Sequence, residues 1–178
     1  MFHGWDAFYS LLGTAAGALI SLLFVVMTLT GGGREGSNTG RGIKVFMTPV
    51  VFHFAIVIAI SATALAPGLP PPLVELAVAL CAVTGLVHMV IAGLPFGRDD
   101  FQASHWSDFW CYVAAPGLVY LAMGATAYAL RVRPDLAVHA LGLVLVILML
   151  TAIRNAWDLV TWLAPRTSRA ASEAPPPS

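Results

Sequence analysis

From Ala7 to Leu29 the chain carries no charged side chain. Crossing the hydrocarbon core of a bilayer takes about 20 such residues. Four more apolar runs follow, at about 47–66, 73–94, 109–130 and 136–163, the third with Glu75 near its start and the fifth with Arg154 and Asp158 near its end. In lipid every backbone polar group has to be satisfied within the protein, so these runs are expected as helices. The chain reads as an all-α polytopic membrane protein: a bundle of five transmembrane helices over 1–164, then a disordered tail at 165–178. Composition agrees, with 58% hydrophobic residues, 10% charged and a mean hydropathy of +0.82. An ordinary soluble domain is about 25% charged. The net charge of zero offers no field to attract nucleic acid.

The first run also lacks the basic start and short apolar core of a cleaved signal, so it is expected to remain as a span. Its small residues Gly13, Gly17 and Ser21 recur every fourth position. A stripe of that kind lets a second helix approach closely, from the same chain or from another copy in a homo-oligomer. Ala77, Cys81 and Gly85 form a similar stripe in the third run. Trp5, Tyr9, Trp106, Trp157 and Trp162 fall near the ends of runs, where amphipathic rings anchor at the membrane–water interface.

The connections are legible as well. Residues 30–42 are rich in glycine but lack the phosphate-binding pattern Gly-x-x-x-x-Gly-Lys-Ser/Thr, and they read as a connector. Thr48-Pro49 looks like a cap and first turn for the second span. Pro67-Gly68-Leu69-Pro70-Pro71-Pro72 forces a tight hairpin between the second and third. Pro116-Gly117 should bend the fourth. The two cysteines, Cys81 and Cys111, form no Cys-x-x-Cys pair and read as small side chains of the bundle.

Five spans put the two termini on opposite sides. Arg34, Arg41, Lys44, Arg98, Arg166 and Arg169 share one side, with Arg154 near its boundary, while Arg131 and Arg133 lie on the other. The excess of basic residues marks the cytoplasmic side, so the N-terminus is expected outside and the C-terminus in the cytoplasm.

This orientation gathers a polar layer toward the inner leaflet. His53 lies near the start of the second span and His88 near the end of the third. Arg154, Asn155 and Asp158 lie near the end of the fifth, and His105 and Asp108 just before the fourth. Arg154 and Asp158 are four residues apart and share a helix face. Ionisable groups inside a span are costly and tend to look inward for partners. The layer therefore has two readings. In one, His53, His88, Arg154, Asn155 and Asp158 converge on a ligand or ion site. In the other, Arg154 snorkels to the headgroups and the histidines are packing residues with hydrogen-bonded neighbours. His53 and His88 also have the types and depth to supply two axial ligands to a b-type haem, or to pass protons. Zinc lacks a third and fourth ligand at suitable spacing. Toward the outer side, His3, Asp6, Glu75, Asp135 and His139 sit at helix ends, where interface solvation accounts for them. Hydrolase, zinc-protease and phosphate-binding signatures are all missing.

Three segments carry a resemblance. They are Leu12-Gly13-Thr14-Ala15-Ala16-Gly17-Ala18-Leu19-Ile20 with Leu23-Phe24-Val25-Val26, then Thr48-Pro49-Val50-Val51-Phe52-His53-Phe54, and Ile153-Arg154-Asn155-Ala156-Trp157-Asp158. Together they resemble a group of small bacterial multi-pass inner-membrane proteins of unassigned activity. The resemblance implies a bacterial plasma membrane, consistent with eight of the nine basic residues being Arg, the bias of a GC-rich genome. It brings no catalytic residue with it. The functional expectation is a small transport or channel-like protein with a polar site in the inner leaflet. The alternatives are a haem or quinone electron-transfer protein and a non-catalytic subunit that anchors a protein partner.

Overall fold

The computed structural model describes residues 2, 4–31, 37–94 and 110–172. Trp106, His105, Asp108 and Arg98 lie outside the described residues. So do residues 173–178 and the side chains of Arg34, Arg41, Lys44, Trp162, Arg166 and Arg169.

Five helices make up the described chain: α1 (Asp6–Gly31), α2 (Ser37–Leu65), α3 (Pro71–Gly93), α4 (Ala115–Val132) and α5 (Pro134–Ser172). A π-helical turn, Trp110–Ala114, leads directly into α4. There is no strand among the described residues. Four segments are long and apolar enough to cross a membrane: Asp6–Leu29, Pro71–Gly93, Trp110–Val132 and Pro134–Asp158. The apolar part of α2 is shorter, Pro49–Leu65. The protein is a multi-pass membrane protein by this count.

Two boundaries differ from the sequence reading, and one bend takes a specific form. α2 starts at Ser37 rather than near 47, so Pro49 sits inside it instead of at its first turn. The proline then removes one ladder bond, to the Val45 carbonyl, which a long helix tolerates. The Pro116 bend is a π turn immediately upstream. A proline has no N–H for the carbonyls before it, and widening the turn is one way a helix absorbs that loss. Past Trp157, α5 continues through Pro165 to Ser172, so 165–172 is helical rather than tail. Ala170, Ala171 and the two arginines there are good helix formers.

The hairpin after α2 follows its sequence closely. Gly68 has φ +70, a conformation that L side chains rarely adopt, and Pro70 is extended at φ −64, ψ 141 just before α3 begins. Leu65, Pro71, Val132 and Pro134 therefore share one side of the bundle. Helices α2, α3, α4 and α5 form a ring in which each packs on its neighbours, and α1 lies outside that ring against α2 and α5. Only 17% of the α1 span is buried, against 44% for α4 and α5. The core holds Phe54, Ile60, Met123, Leu141, Leu145 and Leu148. Outward faces are apolar too, with Leu11, Leu80, Leu118 and Leu143 all exposed, as a surface solvated by lipid tails requires.

Candidate functional site

In the ring, α2 and α4 occupy opposite corners. A hydrogen bond nevertheless joins them: His53 Nδ1 and Tyr120 Oη are 2.7 Å apart, and both side chains are fully buried. The tautomer decides which of the two donates. His53 lies twelve residues before the end of α2 and Tyr120 twelve before the end of α4. At ~1.5 Å per residue both sit about 18 Å from the hairpin side, which explains why they meet.

Gly85 of α3 makes room for this bond. A Cβ on Gly85 would overlap the Tyr120 ring. The glycine expected as part of a small-residue stripe thus serves as the seat of an aromatic ring. One turn further along, Gly124 of α4 faces Ala82 of α3, with 3.8 Å between a Cβ at Gly124 and the alanine methyl. His88 is next on the same side of α3. Its imidazole stacks on Phe52 at 4.3 Å between ring centroids, with 20° between planes. Phe52 in turn lies 6.3 Å from the His53 ring and 6.4 Å from the Tyr120 ring. His53 Nε2 and His88 Nε2 are both buried without a hydrogen-bond partner among the described residues. A buried polar atom left open in this way costs a few kcal/mol, on the order of 1–3, which makes it a place where a hydrogen-bonding ligand would offset a cost.

The remaining residues of the proposed polar layer do not join this group. Arg154 and Asp158 pair with each other at 3.5 Å, and their side chains are 54% and 42% exposed. They face the surroundings of the bundle, as does Trp157. Asn155, turned by about 100° from Arg154 around the helix axis, is fully buried. Its Nδ2 donates to the Cys111 carbonyl at 3.1 Å, and the Tyr112 hydroxyl donates to the Asn155 carbonyl at 3.2 Å. These contacts lie about 31 Å from the hairpin side, one level deeper than His53.

The other expected residues are placed as follows. Gly13 approaches α2 so closely that a Cβ there would sit 3.2 Å from the Ser61 Cβ, so at this position the stripe packs within the chain. Gly17 has nothing within 4 Å of such a Cβ, and Ser21 bonds its own helix at the Gly17 carbonyl, 3.0 Å. Ala77 and Cys81 are half-buried. Tyr9 is not an exposed anchor, and Trp5 is partly buried. Tyr9 is fully buried, while Trp5 packs on Phe8 and on His139 of α5, at 5.2 and 5.0 Å between centroids. Gly142 admits the indole, since a Cβ there would come within 3.0 Å of it.

Tyr120 is the residue that sequence reasoning missed. The signal was its position. Tyrosine in a span belongs at the interface, and one in the middle of a run needs a partner for its hydroxyl. Among the described residues no three His, Cys, Asp or Glu gather as a metal site. Comparison with family models, with curated proteins and with solved structures finds no match to this chain.

Proposed function

We propose that this is a small membrane transport protein in which His53, Tyr120 and His88 bind and release a proton. The observation that carries the reading is the fully buried hydrogen bond of His53 to Tyr120, with an imidazole nitrogen of each histidine left open beside it. Polar groups of this kind inside a span are functional by default, because apolar packing would be cheaper. Histidine in water titrates near neutral pH, and a tyrosine hydroxyl can donate to a neutral imidazole or accept from a protonated one. The core around the group is apolar, with Phe54 and Met123 fully buried. That favours a binding step inside a bundle that rearranges over an open, water-filled pore. Arg154 and Asp158 then serve as an interface anchor.

The setting belongs to the same proposal. We place all five helices across a bacterial plasma membrane, on the resemblance and on the Arg bias, with the N-terminus outside by the excess of basic residues on the opposite side. Reconstitution into liposomes with a trapped pH-sensitive dye tests the function. An imposed potential should drive proton entry well above that of protein-free vesicles. Equal rates would remove the reading.

A second reading has its own support. With Nδ1 of His53 engaged by Tyr120, its Nε2 is oriented as metal-ligating imidazoles are, and His88 presents a second open Nε2. Two such nitrogens suit a b-type haem. Protein expressed with a haem supply and purified without a Soret band would dispose of it.

A further inference from the structure

We infer that Asn155 replaces the backbone N–H that Pro116 lacks, and that its bond to Cys111 is the latch of a hinge at the start of α4. The inference stands apart from the transport reading.

The argument begins with the ladder. In an α-helix the N–H of residue 116 would bond the carbonyl of Tyr112, and in a π turn that of Cys111. Pro116 offers a donor to neither. The chain opens into a π turn over Trp110–Ala114 immediately before it. Into that opening α5 sends the carboxamide of Asn155, whose Nδ2 donates to the Cys111 carbonyl at 3.1 Å. This carbonyl is the one that a π-spaced bond from 116 would have satisfied. The Asn155 Oδ1 is buried with no hydrogen-bond partner among the described residues. The amide is thus held by its donor side, as a substitute N–H would be. The return bond, from the Tyr112 hydroxyl to the Asn155 carbonyl at 3.2 Å, fixes the same turn from its other face.

A turn held in this way is a hinge. Its own ladder lacks the bond at Pro116, so swinging Trp110–Ala114 away from α5 breaks the cross-helix bonds and gives up fewer helical ones than in an uninterrupted helix. Gly93 at the end of α3 takes up Val113 so closely that a Cβ there would lie 3.2 Å away, so the turn keeps its seat on α3 while it parts from α5. The motion is therefore a pivot against α3, away from α5.

The two native cysteines report on it. Cys111 lies in the latched turn and Cys81 in the middle of α3, and both are free and partly buried. The experiment is N-ethylmaleimide labelling of the full chain in lipid nanodiscs, with each cysteine followed by mass spectrometry. Asn155→Ala should raise the Cys111 rate about 3- to 20-fold, the range that one interhelical hydrogen bond in a membrane supports, and leave Cys81 unchanged. Adding Pro116→Ala restores a backbone donor and should bring Cys111 back within about twofold of the native rate, since the substitute is no longer needed. An Asn155→Ala protein that labels like the native one overturns the inference. So does a rise, at Cys111 alone or at both cysteines, that Pro116→Ala fails to reverse, because ordinary loosening of the bundle would not be repaired at that position.

Discussion

Tyr120 and His53 meet at 2.7 Å across the diagonal of the helix ring, from helices that do not otherwise pack side by side. The bond ties together two corners that apolar contacts alone leave independent. Replacing Tyr120 by Phe and His53 by Phe, singly and together, should give a coupling energy of about 0.6–1.7 kcal/mol, the span measured for such bonds in membrane proteins. Unfolding in mixed detergent provides the measurement. Additive effects would mean that the two side chains do not depend on each other.

Gly85 should be intolerant of any side chain. A Cβ there overlaps the Tyr120 ring, and an overpacked core loses about 1–3 kcal/mol. Gly85→Ala is expected to lower the melting temperature and to weaken the bond of Tyr120 to His53. Gly117→Ala is the control, because open space surrounds that position. It should be neutral, or stabilising by up to about 1 kcal/mol through helix propensity. Equal destabilisation by both would contradict the seating of Tyr120 on Gly85.

Arg154 and Asp158 should matter little to the fold. Both are exposed on one helix face, and exposed pairs contribute about 0–1 kcal/mol. Arg154→Ala and Asp158→Ala are expected to shift thermal stability by no more than about 0.5 kcal/mol and to leave proton flux within twofold of native. A variant at either position that abolishes flux would move the site to the end of α5.

The proposed five crossings predict a topology. Reporter fusions at Gly68 and Arg133 should report the same side as the N-terminus, and a fusion at Ser178 the opposite one. A C-terminal reporter on the side of Gly68 would mean that one helix does not span, with α2 the first suspect given its shorter apolar stretch.

The fold was legible to the extent that length and hydropathy decide it. Apolar runs became helices, and the proline-rich hairpin turned where Gly68 allows it. The start of α2 was hidden because the glycines before it look like a connector, although the helix is under way by Ser37. The site was legible only in part. His53 and His88 drew attention as ionisable residues in spans. Tyr120 did not, since a tyrosine in an apolar run resembles any other aromatic. The stretch Arg154-Asn155-Ala156-Trp157-Asp158 reads in sequence as one unit. In three dimensions it divides: Arg154 and Asp158 face out, and Asn155 faces in. Sequence spacing says which residues share a face but not which face turns inward, because neighbouring helices decide that.

Two tyrosines of α4 allow the most direct test of the central claim. Tyr120 is fully buried against His53, and Tyr128 is 73% exposed, two turns away on the same helix. Tyr120→Phe and Tyr128→Phe each remove one hydroxyl and leave the ring. Potential-driven proton entry into liposomes carrying the Tyr120→Phe protein should fall at least tenfold, while the Tyr128→Phe protein keeps the native rate. Native flux in the Tyr120→Phe protein, or the same loss in both, would contradict the assignment of proton binding to His53, Tyr120 and His88.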